Sequence, residues 1–261
     1  MNIDQQILNY INDTWGSNEK MRELNDQYRY TPPYPTLALD DFIPKEVSEK
    51  LYQESMSIPD EDWTTFTRAN SYMEECKMLR NAPVARQLVS ALHSEEFLLW
   101  LRKVCDIPHL LPDPYLTGAG YMKSYKGDSL KIHTDFNWNE ECQTHRALSL
   151  ILYFTPEWDE SWHGDLQFWD FEKKGEIVSY PPKMGNAVIW KYHKRGFHGH
   201  PNPIECPEDK FRVGFRVFYY IADSKHDWRD PPHKSLYWYD NDKNQPYHIE
   251  TEYGHGKVKK S

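Results

Sequence analysis

The sequence predicts a mainly β protein, a sandwich or barrel, with helices ahead of it. Three observations predict this class. After Pro114 short apolar or alternating runs follow one another at even spacing, separated by turn residues. Aromatic residues make up 15% of the chain, and these side chains suit a pleated, half-buried surface. Apolar residues at helical spacing are concentrated before residue 105, and no strand–helix–strand rhythm follows them. A chain of 261 residues is long enough to bury a sizeable core around such strands.

The elements follow in order. Residues 1–30 are polar and read as one loose amphipathic helix. "TPPYP" at 31–35 is a break, because stacked prolines stop a helix and disfavour a central strand. "TLALDDFIP" at 36–44 is a short strand ending at Pro44. "KEVSEKLYQES" at 45–55 places Val47, Leu51 and Tyr52 at helical spacing. Residues 83–104 form the clearest helical region and hold two helices, the second starting at Ser94 ahead of Glu95 and Glu96. Then come the strand-like runs "TGAGYMKSYK", "SLKIHTDF", "ALSLILYF", "GDLQFWDF", "EIVSYPP", "NAVIWKY" and "FRVGFRVFYYIA". The stretches around 65–75, 115–125 and 139–146 are expected to be loops that shape an entrance. Residues 1–110 are thus a helical and edge-strand support, 111–223 the β core, and 224–261 a polar, aromatic-bearing tail expected to be a lid or partly disordered.

The net charge is −9, and a partner that tracks phosphates usually demands a basic surplus, so nucleic acid is disfavoured as a partner. Cys76, Cys105, Cys142 and Cys206 form no CxxC pair and have no zinc-knuckle spacing. The start, "MNIDQQILNYINDTW", lacks a basic region and a long apolar run, and no segment reaches the apolar length of a membrane span. A cytoplasmic protein with reduced thiols is expected, with no membrane partner. Oligomeric state is not legible.

Candidate chemistry begins at "KIHTDFNW", residues 131–138. Side chains alternate along a strand, so His133 and Asp135 share a face, on which Asn137 is next. An imidazole and a carboxylate together grip one ion, and two histidines with one carboxylate leave open positions that suit non-haem Fe(II). "GFHGHPNP" supplies His198 and His200 as candidates for the third ligand. By itself, H-x-D is also what two exposed polar residues look like.

The ordered set "YKGDSLKIHTDFNW", "LSLILYFTPEW", "HGDLQFWD", "GNAVIWKY", "FHGHP" and "FRVGFRVFYY" resembles the Fe(II)- and 2-oxoglutarate-dependent oxygenases, in particular their prolyl-hydroxylase-like branch. "YPTLALDDFIP" and "LLPDPYLTGAGY" add to the likeness, which spans roughly residues 34–222. The resemblance implies a double-stranded β-helix, or jelly roll, with N-terminal helices packed outside. It implies an iron triad of His133, Asp135 and His198. His200 is the rival to His198, while His193 and His163 match the pattern less well. It also implies that Arg212, with Tyr153 on the "LSLILYF" strand, meets the far carboxylate of 2-oxoglutarate, that Tyr125 lines the site, and that Trp190 points inward near the iron.

One departure stands out. The family has a small residue four positions beyond the arginine, where this chain has Arg216. A buried unpaired charge is costly, so Arg216 needs an anion. A substrate carboxylate is the reading preferred; an internal Asp or Glu, or the co-substrate itself, are the others. Asn137 either meets substrate or ends its strand.

The implied activity is hydroxylation of an unactivated C–H bond using Fe(II), 2-oxoglutarate and O2, with ascorbate as reductant and succinate and CO2 released. The implied substrate is a prolyl or other residue of a protein or peptide, or a free amino acid. Asp135 favours hydroxylation over halogenation, because halogenating relatives lack that carboxylate. The contrasting reading is a jelly-roll sensing or binding module that holds metal without turnover; Arg212 with Tyr153 argues against it. "RVGFR" lacks the arginine spacing of nucleic-acid demethylases, and no H-E-x-x-H supports a zinc hydrolase.

Overall fold

The apolar spacing before residue 106 becomes five α-helices: α1 (Ile3–Trp15), α2 (Asn18–Tyr30), α3 (Lys45–Ser57), α4 (Pro83–Leu92) and α5 (Glu95–Cys105). The computed structural model describes residues 1–68, 71–170, 175–222 and 232–237, and the pairs Glu252–Tyr253 and Gly256–Lys257. The single helix expected over 1–30 is two. Gly16 closes α1, and the Ser17 hydroxyl accepts from the Lys20 amide at 3.1 Å to start α2. Ser94 starts α5 as expected, accepting from the Phe97 amide at 3.2 Å. Among the described residues no helix is long and apolar enough to cross a membrane.

The strands are β1 (Thr36–Leu39), β2 (Thr64–Arg68), β3 (Ser71–Cys76), β4 (Leu111–Pro112), β5 (Gly120–Ser124), β6 (Leu130–Thr134), β7 (Trp138–Asn139), β8 (Thr144–Tyr153), β9 (Leu166–Asp170), β10 (Gly175–Tyr180), β11 (Ala187–Lys191), β12 (Phe197–His200), β13 (Arg212–Ile221), β14 (Leu236–Tyr237), β15 (Glu252–Tyr253) and β16 (Gly256–Lys257). The larger antiparallel sheet runs β1-β11-β8-β13-β5-β3-β2, with β4 on β13 and β7 on β8. The smaller runs β10-β9-β12-β6-β14, and β15 pairs with β16. The two larger sheets form the jelly roll that the motif set implies.

Strict alternation sorts the two central strands. Leu148, Leu150, Leu152 and Phe154 with Val213, Phe215, Val217 and Tyr219 join Ile7, Leu24, Val47, Leu51, Leu88 and Phe97 in one core, so the helices cover the outer face of the larger sheet. Burying each such leucine contributes about 2 kcal/mol. The opposite face sends Ile151 and Tyr153 into a second core with Met122, Leu166, Phe168, Val188 and Trp190, shared with the smaller sheet. That inner face carries the site.

Two departures from the sequence expectation matter. The stretch around 65–75, expected as an entrance loop, instead contributes the paired strands β2 and β3, which join the larger sheet through β5. The support region therefore contributes strands to the main sheet as well as helices. The tail expected over 224–261 adds β14 to the edge of β6, the strand that bears His133; the lid or disorder expected for the rest of that tail lies largely outside the described residues.

Glu54 of α3 ties helix to sheet. Its carboxylate accepts from the Val84 and Ala85 amides at the start of α4 (2.6 and 2.8 Å) and from the Tyr121 hydroxyl (2.9 Å). Glu54→Ala removes a helix cap and orphans buried donors, and is expected to lower stability by about 2 kcal/mol in urea unfolding. Metal affinity should not change.

Candidate metal centre

β6 and β12 lie side by side in the smaller sheet with His133 directly opposite His198. Their rings are 4.7 Å apart, and one ligand atom each from His133, Asp135 and His198 fall within 4.8 Å of one another. Each imidazole is held by its own strand: Nδ1 of His133 donates to the Lys131 carbonyl and Nδ1 of His198 to the Gly196 carbonyl, both at 2.8 Å. A carbonyl only accepts, so both protons sit on Nδ1 and both Nε2 atoms are free to ligate. Each Nε2 lies 3.7 Å from an Asp135 carboxylate oxygen. This is the two-histidine, one-carboxylate donor set that suits Fe(II).

The electrostatics favour a ligand-ready state. Burial pushes His133 down to about 4, helped by the neighbouring His198, and burial also lowers His198. Burial alone would raise the Asp135 carboxyl, but the Arg146 guanidinium and then the two imidazoles hold it below the usual carboxylate range. Neutral histidines and an ionised aspartate are the forms that bind metal.

Arg146 is a residue the sequence reading missed. It is fully buried, its Nη1 lies 2.7 Å from Asp135 Oδ2, and its guanidinium sits between the rings of Phe136 and Phe218 at 3.8 and 3.5 Å. Ser149 donates to the same Oδ2 at 3.2 Å. Two neighbours thus engage one carboxylate oxygen and leave the other for a metal. Arg146→Met should weaken Mn(II) or Fe(II) binding about 10- to 100-fold, the usual effect of removing a ligand's orienting partner; equilibrium dialysis measures it.

The other expected residues fall into two groups. Trp190 points inward, its ring edge-on to His198 at 5.1 Å. Arg212 is buried, donating through Nε to the Gly164 carbonyl (2.8 Å) and through Nη2 to the Tyr153 hydroxyl (3.0 Å). Gly164 permits this approach: its φ is +79°, and a Cβ there would stand 3.2 Å from Arg212 Cδ. Gly214 leaves room beside Tyr153 in the same way. Arg212, Trp190, His198, His200 and the triad carboxylate line one narrow inner pocket of about 40 Å³, and a guanidinium in such a pocket suits a carboxylate. Among the described residues no carboxylate pairs with Arg212.

Three expectations are corrected. Tyr125 does not line the pocket; it is 39% exposed and donates to Glu74 at 3.0 Å, because β5 ends at Ser124 and the chain turns outward. Arg216 does face inward, but its guanidinium pairs with Glu75 and donates through Nε to the Gly118 carbonyl at 2.5 Å. Glu75 also meets Lys77 at 3.1 Å, and these two cations, Arg216 foremost, hold its carboxyl below the usual range against the upward push of burial. The internal carboxylate, not a substrate carboxylate, is what Arg216 meets. Asn137 is buried as a staple: its Oδ1 accepts from the His233 amide at 2.8 Å, and its carbonyl accepts from the Arg146 amide at 2.8 Å. His193 and His163 both sit in turns away from the triad, the former stacked on Tyr34 and the latter beside a polar cavity.

Outside the triad opens a cleft of about 820 Å³. Phe66, Met73 and Glu75 of β2 and β3 form one wall, Phe136 and Trp138 another, and Pro232, Lys234, Ser235 and Tyr237 of the tail a third. The Tyr237 ring stacks on His133 at 5.2 Å.

Residues 119–220 match the family model of the 2OG-Fe(II) oxygenase superfamily. Solved structures with a similar fold include a prolyl-4-hydroxylase of Pseudomonas putida (13% identity, 78% of this chain and 100% of that one, TM-score 0.58). Another is a Trichoplax adhaerens prolyl hydroxylase in complex with a hypoxia-inducible-factor peptide fragment (14%, 79% and 93%, 0.56). A third is HygX of Streptomyces hygroscopicus with nickel, 2-oxoglutarate and hygromycin B bound (10%, 79% and 88%, 0.50). At these identities the likeness is one of fold. No curated protein matches the sequence.

Proposed function

We propose that this chain, whose residues 119–220 match the 2OG-Fe(II) oxygenase superfamily, hydroxylates an unactivated C–H bond of an amino-acid residue, a prolyl residue foremost, within a peptide or protein. The carrying observation is the arrangement of two compartments around one triad. The inner pocket is lined by Arg212, which donates to the Tyr153 hydroxyl, and the outer cleft is open and about 820 Å³. A cleft of that size exceeds a single amino acid and accommodates an extended segment. Its aromatic walls suit an apolar ring, and proteins of similar fold include two prolyl hydroxylases.

Bound Fe(II) with 2-oxoglutarate and O2 supplies the oxidation, 2-oxoglutarate leaving as succinate and CO2. The chain's residues position the parts. His133, Asp135 and His198 would hold the metal. Arg146 and Ser149 fix the Asp135 carboxylate, while Arg212 and Tyr153 orient the far carboxylate of the co-substrate. Met122, Ile151, Leu166 and Trp190 line the inner pocket and limit water there. His133 and Asp135 border both compartments, so a substrate in the outer cleft would lie beside the triad.

The test is incubation of the Fe(II)-loaded protein with ascorbate, 2-oxoglutarate and a library of proline-containing peptides, read by mass spectrometry. A peptide that gains one oxygen atom in step with succinate supports the reading. Succinate released with an aminoglycoside or other small molecule, and with no peptide, would refute the peptide assignment.

A further inference from the structure

β12 presents two histidines to the interior, and the triad uses one. The pairing with β6 shifts register between His198 and His200, so His198 stands opposite His133 and His200 opposite Leu130. Alternation sends residues two apart to one face, so both line the inner pocket, and the register shift sets them opposite different partners on β6. His200 is 2% exposed, and neither ring nitrogen has a hydrogen-bond partner. It is outside the group of atoms that can share a metal ion.

An unpartnered buried imidazole is costly, as is a buried guanidinium with no hydrogen-bonded anion; Asp165 feels the Arg212 charge but forms no ion pair with it among the described residues. Here the two line one pocket. Arg212 has spent Nε on the Gly164 carbonyl and Nη2 on the Tyr153 hydroxyl. Its remaining Nη1 forms no hydrogen bond among the described residues. Both deficits are met by one anion placed between the two groups. In either tautomer His200 offers one N–H donor, and the residue also borders a separate polar cavity of about 210 Å³ lined by His163, Asp165, Gln167 and Asn202.

We propose that His200 is a co-substrate-binding residue, donating a hydrogen bond to the far carboxylate that Arg212 and Tyr153 also hold. This rests on the 2-oxoglutarate reading of the inner pocket. It makes His200 a selectivity element, because a second donor at the far end rewards a 2-oxo acid that carries a carboxylate there and gives nothing to one that lacks it.

The test is calorimetry on the full chain loaded with Mn(II) under anaerobic conditions, with 2-oxoglutarate and 2-oxobutanoate as ligands. The second keeps the chelating end and lacks the far carboxylate. His200→Leu is expected to weaken 2-oxoglutarate binding about ten- to a hundredfold, the range for a hydrogen bond to a charged group. It should leave Mn(II) and 2-oxobutanoate binding unchanged, and His200→Gln, which keeps a donor, should recover most of the loss. Unchanged 2-oxoglutarate affinity in His200→Leu overturns the proposal, as does equal weakening of both 2-oxo acids. Loss of Mn(II) binding overturns it too, making His200 a ligand. If the unaltered protein binds Mn(II) but not 2-oxoglutarate, the co-substrate reading fails and this inference fails with it.

Discussion

Replacing Arg212 with methionine is expected to weaken 2-oxoglutarate binding about 30- to 1000-fold, while metal affinity stays unchanged. The range is that for truncating one partner of a buried, hydrogen-bonded charge pair, about 2–4 kcal/mol. Methionine keeps the apolar stem and removes the fork. The Gly164 carbonyl and Tyr153 hydroxyl then lose the donor each now receives, and an incoming carboxylate would be desolvated against no cation. Lysine should recover only part of the loss, since a point charge cannot hold both neighbours and a carboxylate in one plane. The measurement is anaerobic calorimetry with 2-oxoglutarate; an affinity within threefold of the unaltered protein would move the anchor to another cation.

His198→Ala is expected to weaken metal binding by at least about a hundredfold and to abolish turnover. A metal site worth about 10 kcal/mol spread over three or four ligands gives roughly 3 kcal/mol to each. His200→Ala should leave metal affinity intact, because His200 stands opposite Leu130 and outside the triad. Equilibrium dialysis of both variants against Mn(II) separates the two histidines. The opposite pattern, with His200 essential and His198 dispensable, would overturn the ligand assignment.

These two predictions draw on residues that were legible in the sequence. His133 and Asp135 follow from alternation along one strand. His198 follows from the spaced motif set, and Arg212 and Tyr153 face the pocket because β8 and β13 alternate without interruption where they sit. Arg146 was hidden by the place where alternation fails. Tyr219 pairs with Leu148 and Tyr220 with Arg146, so Ala147 is an extra residue. That bulge sends Ala147 and Leu148 both to the helix-covered core and turns Arg146 toward Asp135. Counting by twos from Leu148 puts Arg146 on the wrong face.

Glu75 was obscured for a different reason. "SYMEEC" reads as a short polar stretch, and only the pairing of β3 with β5 delivers Glu75 to Arg216. The partner of a buried arginine is a long-range fact, and the sequence shows only that one is needed. Asn137 and Tyr237 share this limit. A polar tail carries no local signal that it will add to a sheet edge, staple to Asn137 and lay a ring against a metal ligand. Tyr125 failed by one residue: the strand ends at Ser124, and the outward turn takes the side chain to Glu74.

Succinate formation is the measurement that decides between an oxygenase and a metal-holding module. The Fe(II)-loaded protein, given 2-oxoglutarate, ascorbate and O2, is expected to release succinate over repeated turnovers, at a rate that substrate raises. Asp135→Ala should release none, having lost the carboxylate that completes the triad. A protein that binds Fe(II) and 2-oxoglutarate stoichiometrically, yet forms no more succinate than its Asp135→Ala variant with or without peptide, would contradict the enzymatic assignment.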